Sequence, residues 1–169
     1  MHLLTTERLR FRELNEDDFS NVLYYLKSPG AGEFLFLPEN LEKHAHLWVT
    51  KNIARYQNKK TGLYVVEDKS TGSFLGQCGL IWQEVEGKEY LEIGYHFLPE
   101  NWGKGFASEA AQASKRYAFE KNMAPYVVSL IHPFNLPSQK VAIRNGMLPW
   151  KSVTFKGFPS IMYKVDQPA

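Results

Sequence analysis

Two glycines, Gly103 and Gly105, stand in the stretch "WGKGFA" (Trp102–Ala107), at the start of the alanine-rich segment "ASEAAQASKRYAFEK". Glycine adopts backbone torsions that other residues avoid, and it has no side chain to keep a ligand away. Free N–H groups at the start of a helix attract anions. The pattern predicts a turn whose main-chain N–H groups bind a phosphate. The alternative is a tight turn that only packs a helix onto a sheet.

Two common phosphate-binding motifs fit this turn poorly. A Walker A loop requires four residues between its glycines and a Gly-Lys-Ser/Thr ending, which "WGKGFA" does not provide. A dinucleotide-binding fingerprint requires a third glycine, where Ser108 stands. The turn therefore matches neither of these nucleotide-binding motifs.

The same stretch resembles the acetyl-coenzyme A signature Gln/Arg-x-x-Gly-x-Gly/Ala of the GCN5-related N-acetyltransferase (GNAT) family, with Trp102 at the Gln/Arg position. Three longer segments resemble, in the right order, the ribosomal-protein N-terminal acetyltransferases (RimJ/RimL-like) of that family. They are "LTTERLRFRELNEDD", "LEIGYHFLPENWGKGFASEA" and "NLPSQKVAIRNGM". The resemblance covers the chain from about Leu3 to Met147.

The resemblance implies that acetyl-coenzyme A (acetyl-CoA) binds in a gap between a strand at 88–98 and a strand at 126–131. Pantetheine would pair with main-chain groups of the first strand, and the pyrophosphate would meet the N–H groups of the glycine turn. The expected cofactor-binding residues are Phe97, Leu98, Trp102, Gly103, Lys104, Gly105, Phe106, Ala107, Ser108, Asn135 and Ser138. No metal is expected, because His44 and His46 are two apart on a predicted helix and face different ways.

Acetyl transfer from a thioester to an amine requires a base for the amine proton. Glu92 is the favoured base, since "LEIGY" resembles the strand of histone acetyltransferases whose glutamate removes that proton. Strand alternation places Glu92, Gly94 and His96 on one face, so His96 is the competing base. The alternative for each is a structural role, as a paired strand carboxylate or a packed histidine.

A proton donor for the departing thiolate is the second requirement. Many members of the family carry a tyrosine seven residues after the cofactor-contacting asparagine, and that position here is Ala142. Ser138 could hydrogen-bond the sulfur, although a serine at this place could equally cap a helix. Cys78 lies in an apolar strand, where cysteines are usually inert, so direct transfer is favoured over an acetyl-cysteine intermediate.

The amine acceptor is expected to enter from the side opposite the phosphates. Acidic residues there could attract a cation, and aromatic residues could contact an apolar or peptide-like body. The named acceptor residues are Glu33, Phe34, Trp82 and Glu84, with Phe36, Glu86, Tyr90 and Trp150 in or near the same segments.

These residues have to be positioned by a mixed sheet. Hydrophobic periodicity and turn residues predict the order βααβββαβαββ, with strands at Gly62–Asp68, Gly72–Glu84, Lys88–Leu98 and Tyr126–Ile131. A crossover helix between the last two implies a locally parallel pair, hence an α/β fold. The resemblance implies a GNAT-like sheet, splayed at that pair and flanked by helices.

Composition limits the classes of function. The chain has 169 residues, 44% of them hydrophobic, and a net charge of +2 without runs of like charge, which argues against nucleic acid as a partner. One cysteine excludes an intrachain disulfide, and no signal peptide or membrane span stands out. We expect one domain (residues 1–169), a cytoplasmic location and no membrane partner, with homodimerisation through exposed strands a possibility.

The function expected from the sequence is acetyl-CoA-dependent N-acetylation of a primary amine, which a protein N-terminus could supply. One alternative is a small-molecule or antibiotic amine as acceptor. Another is a catalytically silent module that binds acetyl-CoA, since Ala142 leaves the usual acid missing.

Overall fold

The structure is a computed structural model, and it describes residues 1, 4–35, 37–59 and 61–168. Its strands are β1 (Leu9–Glu13), β2 (Gly62–Asp68), β3 (Phe74–Val85), β4 (Lys88–Phe97), β5 (Tyr126–Ile131), β6 (Leu148–Phe155) and β7 (Phe158–Asp166). Its helices are α1 (Phe19–Lys27), α2 (Leu41–Lys59), α3 (Phe106–Glu120) and α4 (Leu136–Arg144). This order confirms the predicted βααβββαβαββ succession.

The strands form one mixed sheet in the order β1-β2-β3-β4-β5-β7-β6. Every neighbouring pair is antiparallel except β4 and β5, which are parallel. These two strands pair at one position only, with Glu92 opposite Val128, and beyond this point they separate. The predicted α/β fold with a splayed sheet is confirmed.

Helices cover both faces of the sheet. On one face the small side chains Ala110, Ala111, Ala113 and Ala118 of α3 are buried in a core with alternate residues of β4 and β5. Alanines allow the helix to lie close to the strands. On the other face, α1 and α2 pack over Leu63, Val65 and Ile81 in a separate core. The gap between β4 and β5 is therefore enclosed from two sides.

Side-chain direction along β4 follows the usual alternation. Leu91, Ile93 and Phe97 belong to the α3 core. A side chain built at Gly94 would meet Leu63 and Ile81 of the opposite core. Glu92 and His96 therefore face the α1 and α2 layer. Among the described residues, no helix is long and apolar enough to cross a bilayer.

Candidate active site

A cavity of about 830 Å³ opens where β4 and β5 separate. Six parts of the chain line it: Tyr25 of α1, the loop from Gly30 to Leu35, the second half of β4, the glycine turn with the first turn of α3, the end of β5, and one side of α4. Ten of the expected cofactor residues are among the lining residues, and Leu98 is not. These ten are Phe97, Trp102, Gly103, Lys104, Gly105, Phe106, Ala107, Ser108, Asn135 and Ser138.

The glycine turn has the backbone that an anion site requires. Gly103 and Gly105 have φ angles of 73° and 82°, and Gly105 is the N-cap of α3. The first N–H groups of a helix have no acceptor within the helix. Phe106, Ala107 and Ser108 occupy that first turn and line the cavity. The turn can therefore bind a diphosphate through main-chain N–H groups and the helix dipole.

Arg8, just before β1, supports this turn from outside the cavity. Its Nη1 donates to the Lys104 carbonyl oxygen at 3.0 Å, and its Nε donates to Glu109 at 2.7 Å. The guanidinium also lies 4.7 Å from the centre of the Phe106 ring. Sequence reasoning missed Arg8, because the residues it contacts are about a hundred positions away.

The main chain at the end of β4 is partly occupied by the protein itself. The Leu98 N–H donates to the Leu75 carbonyl at 3.0 Å, and the Phe97 carbonyl accepts from the Trp102 indole N–H at 2.7 Å. Leu98 therefore faces β3, which corrects its expected role as a pantetheine partner. By strand alternation, the N–H and carbonyl groups of Tyr95 face the gap instead.

Glu92 lies where the two strands separate, and it is 9% exposed. Its Oε2 accepts from Gln83 Nε2 at 2.8 Å, and its Oε1 lies 3.4 Å from the Leu130 main-chain nitrogen. Burial raises the pKa of the Glu92 carboxyl, an effect opposed by the hydrogen bonds from Gln83 and Leu130. A buried carboxylate with a raised pKa is suited to accept a proton.

His96, the competing base, also lines the cavity. Its Nδ1 lies 3.1 Å from the hydroxyl of Tyr25, which donates to the Ala31 carbonyl at 3.1 Å. Because that hydroxyl proton is used on Ala31, the Nδ1 proton can be donated to Tyr25, which leaves Nε2 as an acceptor. Burial lowers the pKa of the His96 imidazole to about 4, so the ring is neutral near pH 7.

Ser138 lies in the first turn of α4 beside the cavity. The N-cap of α4 is Asn135, whose side-chain oxygen accepts from the Ser138 main-chain N–H at 3.2 Å. The alternative of Ser138 as the cap is therefore wrong, and its hydroxyl is instead 3.0 Å from the Tyr95 hydroxyl. Ala142 is fully buried against α3 and offers no polar group.

The expected acceptor residues are divided by the structure. Glu33 and Phe34 line the cavity, and the Phe34 ring lies 5.2 Å from the His132 ring across it. Trp82 packs against the α3 core and Glu84 is exposed on β3, so neither is brought to the cavity. Phe36 lies outside the described residues.

Other expected acceptor residues are engaged elsewhere. Glu86 accepts from the Thr154 main-chain N–H at 3.2 Å, while Tyr90 and Trp150 pack together with Tyr126 at the far end of the sheet. Two cationic side chains that sequence reasoning missed act on the ionisation of Glu92. Lys156 and Arg55 are near enough to Glu92 for their charges to favour its ionised form.

Cys78 is fully buried and does not line the cavity. Burial raises the pKa of its thiol to about 12, and its sulfur lies 3.4 Å from the Ser114 hydroxyl. Within the part of the chain that the structure describes, no three His, Cys, Asp or Glu side chains come together in a way that could hold a metal ion.

Comparison with known proteins gives a consistent result. The acetyltransferase (GNAT) domain model matches residues 8–148. YkkB of Bacillus subtilis strain 168 is 32% identical over 161 residues, covering 95% of this chain and 94% of YkkB. An acetyltransferase from Agrobacterium tumefaciens C58 has a TM-score of 0.84 at 27% identity, covering 99% of this chain and 95% of that one.

A further solved structure contains coenzyme A. RimL, a ribosomal-protein alpha-N-protein acetyltransferase in complex with coenzyme A, has a TM-score of 0.80 at 18% identity, with 98% of both chains covered. At that identity the likeness concerns the fold.

Proposed function

This chain belongs to the GNAT acetyltransferase family, and on that premise we propose that it transfers acetyl from acetyl-CoA directly to a primary amine. One observation carries the proposal. One cavity has at one end a glycine turn that leads into the N-terminus of α3, and at the other a buried carboxylate of raised pKa. The distance between these ends is bridged by the free edge of β4, where an extended donor could pair with main-chain groups.

The residues of the glycine turn suit the donor. Gly103 has open space where a side chain would begin, so a diphosphate could approach its backbone closely. Lys104, Lys140 and Arg144 also line the cavity and could neutralise further phosphate charge. The thioester would then lie along β4 near Tyr95 and His96. Acetyl-CoA supplies an activated acyl group. The chain itself would bind and orient both reactants and would take up the proton of the amine.

Glu92 is proposed as the proton acceptor. Its carboxylate faces the α1 and α2 layer, from which an amine could reach the acetyl carbon through the cavity. Both of its oxygens already have donors, so proton transfer by way of a bound water is the simplest arrangement. A main-chain N–H facing the gap would stabilise the negative charge that develops on the carbonyl oxygen.

The charges around Glu92 favour an acceptor with a single positive charge. Lys156 and Arg55 lie close to the carboxyl group, so a polyamine or aminoglycoside would bring several positive charges against them. An N-terminal amine of a peptide carries one charge at most. We therefore place a protein or peptide N-terminus first as acceptor and a small-molecule amine second.

The test is an acetyl-transfer screen with purified protein and acetyl-CoA, read by the thiol released. Peptide N-termini, amino acids, polyamines and aminoglycosides form the panel, and mass spectrometry locates the acetyl group on the product. Turnover with a peptide N-terminus and none with polyamines is the expected result. Binding of acetyl-CoA in calorimetry without turnover on any amine would instead support the silent binding module.

A further inference from the structure

Tyr95 makes two hydrogen bonds to the same residue of α4. Its hydroxyl donates to the Ser138 carbonyl oxygen at 2.8 Å and accepts from the Ser138 hydroxyl at 3.0 Å. Tyr95 lies on the strand whose backbone faces the gap, and both side chains line the cavity. The pair therefore joins the donor side of the cavity to the start of α4.

This phenol lies beside the helix on which the family's usual tyrosine is missing. Ala142 stands at that position and is buried against α3, one turn after Ser138. Burial raises the pKa of the Tyr95 phenol, so the hydroxyl keeps its proton throughout the working pH range. A protonated phenol can always donate one hydrogen bond.

Two hydrogen-bond arrangements are compatible with these distances. In the first, the Ser138 hydroxyl donates to Tyr95, and Tyr95 donates to the Ser138 carbonyl. In the second, the Tyr95 hydroxyl rotates about its C–O bond and donates to the Ser138 hydroxyl oxygen. The Ser138 proton is then free to point into the cavity.

We propose that Tyr95 is a positioning residue that switches the Ser138 hydroxyl from a bond with Tyr95 to a bond with the sulfur of the donor. The inference rests on the proposed acetyl transfer, in which Ser138 is the candidate partner of the sulfur, and adds Tyr95 as the residue that positions the Ser138 hydroxyl. As the amine nitrogen bonds to the acetyl carbon, its proton passes through water to Glu92. The C–S bond breaks with its electron pair on sulfur, Ser138 donates a hydrogen bond to that sulfur, and the thiolate takes a proton from solvent on release.

The test compares Tyr95→Phe, Ser138→Ala and the double variant in steady-state acetyl transfer. Ser138→Ala is expected to lower kcat by about tenfold or more, since a hydrogen bond to a charged group is lost. Tyr95→Phe should lower kcat to a similar extent, because the Ser138 hydroxyl loses the donor that orients it toward the sulfur. The KM for acetyl-CoA should stay within about twofold of the wild type. The double variant should be no slower than the slower single variant, because both changes remove one function.

Tyr163→Phe is the matched control. Tyr163 is buried, and its hydroxyl lies 3.1 Å from Gln139 of the same helix, but neither residue lines the cavity. Its kcat should equal that of the wild type. A purely structural role of Tyr95 would raise the KM for acetyl-CoA and leave kcat at saturation unchanged, which would overturn the inference.

Failure of the proposed function gives a different result. A wild type without turnover on any amine rejects acetyl transfer, and the role of Tyr95 with it. A wild type with turnover and an equally fast Tyr95→Phe variant rejects only the role of Tyr95. Effects of the two single variants that multiply in the double variant also reject the switch.

Discussion

The two ends of the cavity are built in different ways. At the proposed phosphate end, which is the glycine turn Trp102–Ala107, one continuous segment supplies the backbone N–H groups, and Gly103 and Gly105 fix its conformation. At the proposed acid–base end, β4 supplies Glu92, Tyr95 and His96, but their hydrogen-bond partners come from α1, β3, β5 and α4. A site made of local backbone can be predicted from a short sequence motif. A site made of side chains depends on contacts that the whole fold brings together.

The largest effect is expected from a substitution that changes only the proposed acid–base end of the cavity. Glu92→Gln keeps the size of the side chain and removes its basicity, so kcat should fall about 100-fold or more. Binding of acetyl-CoA, measured by calorimetry, should not change. Glu84→Gln on the neighbouring strand is the matched control, because Glu84 is exposed and lies away from the cavity. A wild-type rate for Glu92→Gln would transfer the role of base to His96.

The same variant also has an expected effect on stability. The pKa of Glu92 is raised in the folded state, so its contribution to stability decreases as pH rises through that pKa. Above the ordinary pKa of a glutamate, folding must either bury this charge or bind a proton to it, and both cost free energy. Glu92→Gln should leave the free energy of unfolding equal or higher, measured by urea denaturation at pH 7.

The second largest effect is expected from a substitution that changes only the proposed phosphate end of the cavity. Gly105→Val forces a branched side chain into a φ of 82° and alters the N–H groups of the turn. Affinity for acetyl-CoA should fall by about tenfold or more. Gly87→Val tests the same strain elsewhere, since Gly87 has a φ of 76° in the β3–β4 hairpin.

Both glycine variants should lose about 1–2 kcal/mol of stability because the left-handed conformation disfavours L-residues. Calorimetry with coenzyme A then separates the two. Equal loss of affinity in both variants would mean that the Gly105 effect is general destabilisation and not a change in the binding turn.

The smallest effect concerns charge at the acid–base end. Lys156 lowers the pKa of Glu92 through its charge, so Lys156→Met should raise that pKa further. The acidic limb of the kcat/KM profile, where Glu92 becomes protonated, should move to higher pH. Lys164→Met is the control, because the ammonium that it removes pairs with Asp166. This variant should leave the acidic limb at the wild-type pH. A profile unchanged by Lys156→Met would show that Glu92 does not govern the limb.

Much of the fold could be predicted because its signals are local. The bounds of β2 and β5 are those expected from apolar runs between turn residues. Alternating apolar and polar residues over Thr5–Leu14 predict a first strand of that length, whereas β1 spans only Leu9–Glu13. The difference arises because the Thr6 hydroxyl and the Arg8 side chain bind Glu109 of α3, an interaction that no local pattern indicates.

The candidate site could be predicted from the sequence only where its residues stand in local motifs. The glycine turn and Glu92 stand in recognisable segments, and both line the cavity. Tyr95 lies between two predicted residues of β4, but its partner Ser138 is 43 positions away. Trp82 and Glu84 share a hairpin with the expected pocket, yet strand direction and solvent exposure place them elsewhere. Spacing along the chain does not determine which way a hairpin side chain points.

Trp102 links the two halves of the cavity through contacts on opposite sides of its indole. Its N–H holds the Phe97 carbonyl next to the glycine turn, while a side chain at Gly30 would begin only 3.3 Å from its six-membered ring. A movement of the indole would therefore disturb both the glycine turn and the packing of the loop at Gly30, which lines the cavity on the side proposed for the amine. We expect compulsory-order kinetics, with the thioester adding before the amine, and product-inhibition patterns would reveal that sequence of addition.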